Sequence, residues 1–280
     1  MSINVRRLRA MLAARGTLVR VVVADVRGSA PREAGAEMLV WADGFHGTIG
    51  GGALEWRALR IAREVLQAGA TRVERIPLGP GLGQCCGGAV TLVFERLDAV
   101  PPMPWRREIA GFGLLEEDGT GSSAPLWIWG AGHVGRALVA TLAPLRDIVW
   151  VDDAAARFPV TMPDEVERLV AADMPRAMAF APGDVDHLIL TYSHEIDLAL
   201  CHEALNRGFR TCGLIGSATK WARFRSRLLA LGHEKQAIDR ITCPIGNPAL
   251  GKHPQAIAVG VAAALLSPEL SAETTEGTPA

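Results

Sequence analysis

Residues 126–143 read Leu126-Trp-Ile-Trp-Gly130-Ala-Gly132-His-Val-Gly135-Arg-Ala-Leu-Val-Ala-Thr-Leu-Ala143. Four apolar residues run into a glycine turn, and the turn opens a segment with apolar residues at helical spacing. Gly130, Gly132 and Gly135 fit G-x-G-x-x-G in the strand–turn–helix context that this dinucleotide fingerprint requires. The first glycine makes the tight turn, the second lets a pyrophosphate approach the backbone, and the third lets helix and strand pack. Asp152 lies 20 residues beyond Gly132, at the end of the apolar run 147–152. An acid at that strand end can bind ribose hydroxyls. The pattern serves a nicotinamide or other nucleotide cofactor, NAD(P) included, or it only shapes the turn.

Downstream, VERLVAA (166–172), HLILTYS (187–193) and RTCGLIGS (210–217) predict strands. Helices are expected over 195–207, 220–231 and 254–266. Strands alternating with helices imply an α/β unit, a Rossmann-like doubly wound parallel sheet over 126–266. His194, Glu195 and Asp197 follow a strand end, where open sheets bind ligands. They either face that cleft or, with Ser193, cap and charge-match a helix start. Gly213–Lys220 is a second glycine junction, which either holds an anion at a helix N-terminus or carries a Ser or Thr cap.

Upstream the pattern differs. A helix over 4–15 ends at Gly16, strands are expected over 18–26, 37–43 and 71–78, and 45–52 is a short strand running into glycines. A helix over 53–69 and a strand over 89–97 complete an N-terminal α+β domain, residues 1–98. AVPPMP (99–104) and GTGSSAP (119–125) mark residues 99–125 as a linker. Residues 267–280 have no apolar pattern and are expected to be disordered.

Three glycine-rich loops interrupt the N-terminal domain. Gly50, Gly51 and Gly52 precede a helix and leave backbone N–H groups free at its positive end. No GK[ST] follows, so this is not a P-loop. Glu55 in the first turn suits the helix dipole, and can equally bond a polar ring. Arg27-Gly-Ser29-Ala-Pro-Arg32 offers a hydroxyl and two guanidinium groups, whose planar fork suits phosphate. The third loop, GLGQCCGGAV (81–90), carries Cys85 and Cys86. Neighbouring cysteines fit neither zinc nor CxxC spacing. Exposed thiols near N–H groups or arginine are reactive or metal-binding, and thiolate suits a soft metal centre. Cys201, Cys212 and Cys243 read as small buried hydrophobes.

The chain has 280 residues and is 49% hydrophobic, enough for two cores. Its net charge of -1 argues against nucleic-acid binding by bulk electrostatics. The charged N-terminus does not resemble a signal peptide, and no apolar run is long enough to span a bilayer. Five cysteines, an odd number without framework spacing, fit a reducing, cytoplasmic setting.

GSAPREAGAEMLV (28–40), GTIGGGALE (47–55), LGPGLGQCCGG (78–88) and GAGHVG (130–135) occur in that order, followed by GLIGSATK (213–220), Pro244-Ile-Gly246 and GKHPQAIA (251–258). Over about residues 5–266 this set resembles the XdhC/CoxI family. The resemblance implies a molybdenum cofactor (molybdopterin) chaperone, an accessory protein and not an enzyme, with no catalytic residue of its own. Members bind the cofactor, support its sulfuration by a cysteine desulfurase and deliver it to a xanthine dehydrogenase-type apoenzyme. A homodimer is compatible with it. On this reading Ser29, Arg32 and the amides of Gly50–Gly52 hold the cofactor phosphate. Glu55 meets the pterin edge, and Cys85 or Cys86 touches molybdenum or its exchangeable sulfur. The chain departs from the family's Pro-Glu-Glu-Ile at Pro254-Gln255-Ala256-Ile257, which removes a carboxylate there. Two other readings stay open: an NAD(P)-dependent oxidoreductase using the 130–135 turn and His194, and a thiol-redox or sulfur-carrier enzyme built on Cys85 and Cys86.

Overall fold

The computed structural model describes residues 3–79, 87–119, 125–163 and 166–267. Cys85, Cys86 and the tail beyond Ser267 lie outside the described residues. The chain divides into two units, Met1–Ser122 and Ser123–Ala280.

In the N-terminal unit, α1 (Val5–Arg15) starts where the Asn4 side chain accepts the Arg7 N–H, and closes on Gly16. Strands β1 (Leu18–Arg27), β2 (Glu37–Val40), β3 (Phe45–Gly47), β4 (Arg72–Pro77) and β5 (Ala89–Leu97) form one antiparallel sheet, ordered β3-β2-β1-β5-β4. Helix α2 (Gly52–Ala68) covers one face. The two-residue period of β1 sends Val19, Val21 and Val23 into that interface. There they meet Leu54, Ala58, Ile61, Ala62 and Val65 of α2, all buried. Each valine, leucine and isoleucine among them contributes about 1.5–3 kcal/mol by leaving water, and each alanine less. Gly69 ends α2 in the left-handed conformation.

Leu18, Arg20 and Val22 of β1 point to the opposite face. Part of that face is covered by a hairpin, β6 (Trp105–Ile109) and β7 (Gly113–Glu117). The hairpin falls within residues 99–125, the stretch expected as a linker. Its Ile109 and Leu115 pack on Val22, Ala24 and Val93. Charge holds the rest. Arg20, fully buried, donates to Glu37 at 2.5 Å and to both carboxylate oxygens of Glu117 at 2.5 and 3.0 Å. Arg107 bonds Glu95 and lies 2.7 Å from Glu117. A buried charge survives only when so paired.

The C-terminal unit is a six-stranded parallel sheet, β10-β9-β8-β11-β12-β13. Its strands are β8 (Leu126–Trp129), β9 (Ile148–Asp152), β10 (Val166–Val170), β11 (Asp186–Ile189), β12 (Thr211–Leu214) and β13 (Ile241–Thr242). Counted within the unit the order is 3-2-1-4-5-6, that of dinucleotide-binding folds. The main connecting helices are α3 (His133–Leu142), α5 (His194–Arg207), α6 (Ala218–Ala230) and α8 (Pro254–Leu266). Short helices α4 (Met174–Ala177) and α7 (Lys235–Ile238) complete the unit. Trp127 and Trp129 face one core layer, and Ile128 and Trp150 the other. Among the described residues no helix is long and apolar enough to cross a membrane.

Candidate functional site

Antiparallel pairing brings the three glycine loops to one edge of the N-terminal sheet. Arg27 pairs with Ala89, Ala89 with Pro77, Glu37 with Val22 and Gly47 with Met38. The chain therefore leaves β1 and β4, and enters β2 and β5, at the same end. β3 also ends there, and the next turn starts α2.

The loops touch through glycine. A Cβ on Gly88 would lie under 3.0 Å from the carbonyl oxygens of Arg27 and Ser29. A Cβ on Gly28 would lie 3.2 Å from Gly88 Cα, and one on Gly50 under 3.0 Å from the Pro31 ring. Leu78 N–H donates to Gly88 O at 2.7 Å and closes the base of the cysteine loop. Arg32 donates to Thr48 O at 3.3 Å and pairs with Glu33 at 3.1 Å. That hydrogen bond holds the Glu33 carboxyl below its ordinary range.

Glu55 fixes the loop before α2. One of its oxygens accepts the N–H groups of Ile49 (3.1 Å) and Gly51 (2.8 Å) and the Thr48 hydroxyl. Gly50, Gly51 and Gly52 have φ of 124°, 75° and 61°, a left-handed run closed to other residues without strain. Gly51 caps α2 with no side chain, and a Cβ there would meet nothing within 4 Å. The expected row of free glycine amides is not what forms. Gly50 N–H donates to Thr48 Oγ1 at 3.2 Å and Gly51 N–H to Glu55, so the anion-binding capacity here rests on the Gly52 amide at the start of α2. Ser29, Arg32, Gly50, Gly51, Gly52 and Glu55 are brought together. Cys85 and Cys86 fall outside the described residues. Thr48, Pro31, Gly28 and Gly88 also shape this edge. The GSAP and TIGGG strings contain three of them, but give no sign of the contact with Gly88.

In the second unit, Gly130, Gly132, Gly135 and Asp152 also converge. Gly130 has φ 118°, and a Cβ there would press on Leu190 O. A Cβ on Gly135 would press on Gly130 O, while Gly132 faces open space. Asp152 does not face a cleft as expected for a ribose ligand. It is 1% exposed, and its oxygens accept the N–H groups of Ala131 (2.6 Å) and Asp153 (2.8 Å). Burial raises its pKa. A buried carboxylate takes the nearest unsatisfied donors, and here these are the Ala131 amide of the glycine turn and the amide of the next residue, Asp153.

Ser193 caps α5 and Ser217 caps α6. Asp197 is buried, accepting from Thr191 N–H (2.9 Å), Thr191 Oγ1 (2.7 Å) and Lys220 Nζ (2.6 Å). His194 is exposed, with its ring edge-on to Phe224. Cys201 and Cys212 are buried, and burial pushes the Cys212 thiol up to about 12. Cys243 is half-buried and pushed up to about 11, also by burial. Among the described residues no three His, Cys, Asp or Glu side chains are grouped to hold a metal.

Two family descriptions match this chain. The XdhC Rossmann domain matches residues 126–265, and the XdhC and CoxI family matches residues 11–77. The uncharacterized protein YqeB of Escherichia coli K12 is 29% identical over 254 residues, 87% of this chain and 42% of YqeB. The molybdenum cofactor insertion chaperone PaoD of the same organism is 31% identical over 100 residues, 34% of this chain and 31% of PaoD. The chain thus spans less than half the length of each of these relatives. A crystal structure of a xanthine dehydrogenase from Bacillus halodurans has the same fold, with a TM-score of 0.66 at 20% identity. The match covers 99% of this chain and 98% of that one.

Proposed function

The chain belongs to the XdhC and CoxI family, and on that premise we propose that it binds molybdenum cofactor as cargo and hands it to a molybdoenzyme. The observation that carries this reading is the convergence of three glycine loops at one sheet edge. The cargo has a phosphate, a polar pterin and a metal held by sulfur. The amide of Gly52 at the start of α2, with Ser29 and Arg32, supplies the phosphate donors, since Gly51 N–H is taken by Glu55 and Gly50 N–H by Thr48. Glu55 acts by fixing the Thr48–Gly51 turn that presents the start of α2, since one of its oxygens already serves three groups there. Cys85 and Cys86 precede Gly88 by three and two positions in sequence. We assign them the contact with the metal or its exchangeable sulfur, because thiolate matches that soft centre.

Further support comes from PaoD, a relative described as a molybdenum cofactor insertion chaperone. The recipient in this proposal is a xanthine dehydrogenase-type apoenzyme. A cysteine desulfurase supplies the sulfur, and the cycle runs in the cytoplasm with the chain as a homodimer. The chain carries and releases its cargo without turning over a substrate, so no catalytic residue is assigned. The test is transfer. Cofactor-loaded chain mixed with a cofactor-free enzyme of this class restores its activity. Loaded chain that leaves the enzyme inactive contradicts a delivery role.

A further inference from the structure

The second unit has the strand order and glycine turn of a dinucleotide-binding fold, yet the groups at its strand ends are already bonded to one another. We infer that Tyr192, Asp153 and Arg157 bridge the crevice above the Gly130–Gly132 turn and are the specificity-determining residues that exclude nicotinamide dinucleotides. β9 and β11 lie on either side of β8. Their carboxyl ends are therefore about 10 Å apart, with the glycine turn between them. Asp153 follows β9 and Tyr192 follows β11. The Tyr192 hydroxyl donates to Asp153 Oδ2 at 2.5 Å, so the contact spans the switch point where a dinucleotide lies.

Arg157 completes the bridge. Its guanidinium lies 4.0 Å from the centre of the Tyr192 ring, a cation–π contact. Its Nε is 3.1 Å from Asp152 and 3.0 Å from Asp153. Arg136 ties down the same segment, donating to the carbonyls of Ala131 and Arg157. A ribose diol needs a carboxylate with free acceptor positions. Asp152 is spent on two amides and paired with Arg157, and Asp197 is spent on Thr191 and Lys220. Asp153 accepts Tyr192 through Oδ2, while its Oδ1 is buried beneath the Arg157 guanidinium and not open to a ribose. Gly132 keeps the open space that a pyrophosphate uses. The obstruction therefore lies on the ribose side and is made by side chains that substitution can remove. This goes beyond the cargo proposal and is independent of it, since it concerns a different ligand in a different unit.

The test is titration of the full chain with NAD+, NADH and NADPH, followed by calorimetry, alongside Tyr192→Phe and Tyr192→Ala. Tyr192 is 59% exposed, so neither change opens a core, and thermal melting checks the fold of each. The native chain shows no saturable binding up to about 1 mM. Tyr192→Ala, which removes both the hydroxyl and the ring under Arg157, binds at least about tenfold more tightly, with Tyr192→Phe between. Saturable micromolar binding by the native chain overturns the inference. So does the absence of any gain in both variants, because the bridge is then not what excludes the nucleotide.

Discussion

Gly88 stands against Ser29 so closely that a Cβ on Gly88 would lie 2.9 Å from the Ser29 amide nitrogen and nearer still to its carbonyl oxygen. Backbone cannot yield as the end of a flexible side chain can. Gly88→Ala therefore separates the cysteine loop from the Ser29 loop and lowers cargo loading at least severalfold. Gly79→Ala, at the other end of the same loop, is the control: its Cβ meets nothing within 4 Å and its backbone is not in the left-handed region, so fold and loading stay native. Thermal unfolding with bound pterin measured on each variant checks both expectations.

The buried Arg20 ties the β6–β7 hairpin to the sheet. Arg20→Met leaves Glu117 with Arg107 alone and costs about 3–5 kcal/mol of stability, since an uncompensated charge stays buried. Arg20→Met combined with Glu117→Leu recovers most of that loss. Urea unfolding of both variants reads the difference, and a double variant less stable than the single contradicts this account of the hairpin.

His187 gives the fold a pH dependence. Burial pushes its pKa down from 6.5 to about 4, and its Nδ1 accepts from Trp129 Nε1 at 3.1 Å. The folded state therefore holds the neutral ring, while the unfolded chain takes up a proton below pH 6.5. Its contribution is complete above pH 6.5 and is lost as pH falls toward about 4. The full loss is on the order of 3 kcal/mol. Urea midpoints across that range fall in the native chain. In His187→Phe the slope flattens, whatever the variant's stability at neutral pH.

What the sequence discloses depends on how local the physics is. The turn at Gly130–Gly135 and the helix caps at Ser193 and Ser217 are decided within a few residues, and spacing alone locates them. Alternating strands and helices likewise predict the parallel sheet. The hairpin at 105–117 is hidden because its inward face carries Arg107 and Glu117, which read as solvent-facing until Arg20 is seen beneath them. Asp152 is misread for a similar reason: its position marks a strand end, but its bond to Ala131 depends on how tightly the turn closes. The Gly88–Ser29 contact joins residues far apart in the chain, so each reads singly as an ordinary loop residue. Tyr192 is the chain's single tyrosine. Only the adjacency of β8 to both β9 and β11 reveals that it reaches Asp153.

The central claim is that the glycine-loop edge of the N-terminal unit holds molybdenum cofactor. Its most direct test is to purify the chain from cells that make the cofactor, release any bound pterin and measure it by fluorescence. The native chain carries pterin close to stoichiometrically. Glu55→Ala, which frees the Thr48–Gly51 turn, carries several-fold less, and the paired change Cys85→Ala with Cys86→Ala yields pterin depleted in molybdenum or its sulfur. Pterin no higher than on an unrelated protein from the same cells, or equal loading in the native chain and all these variants, contradicts the claim.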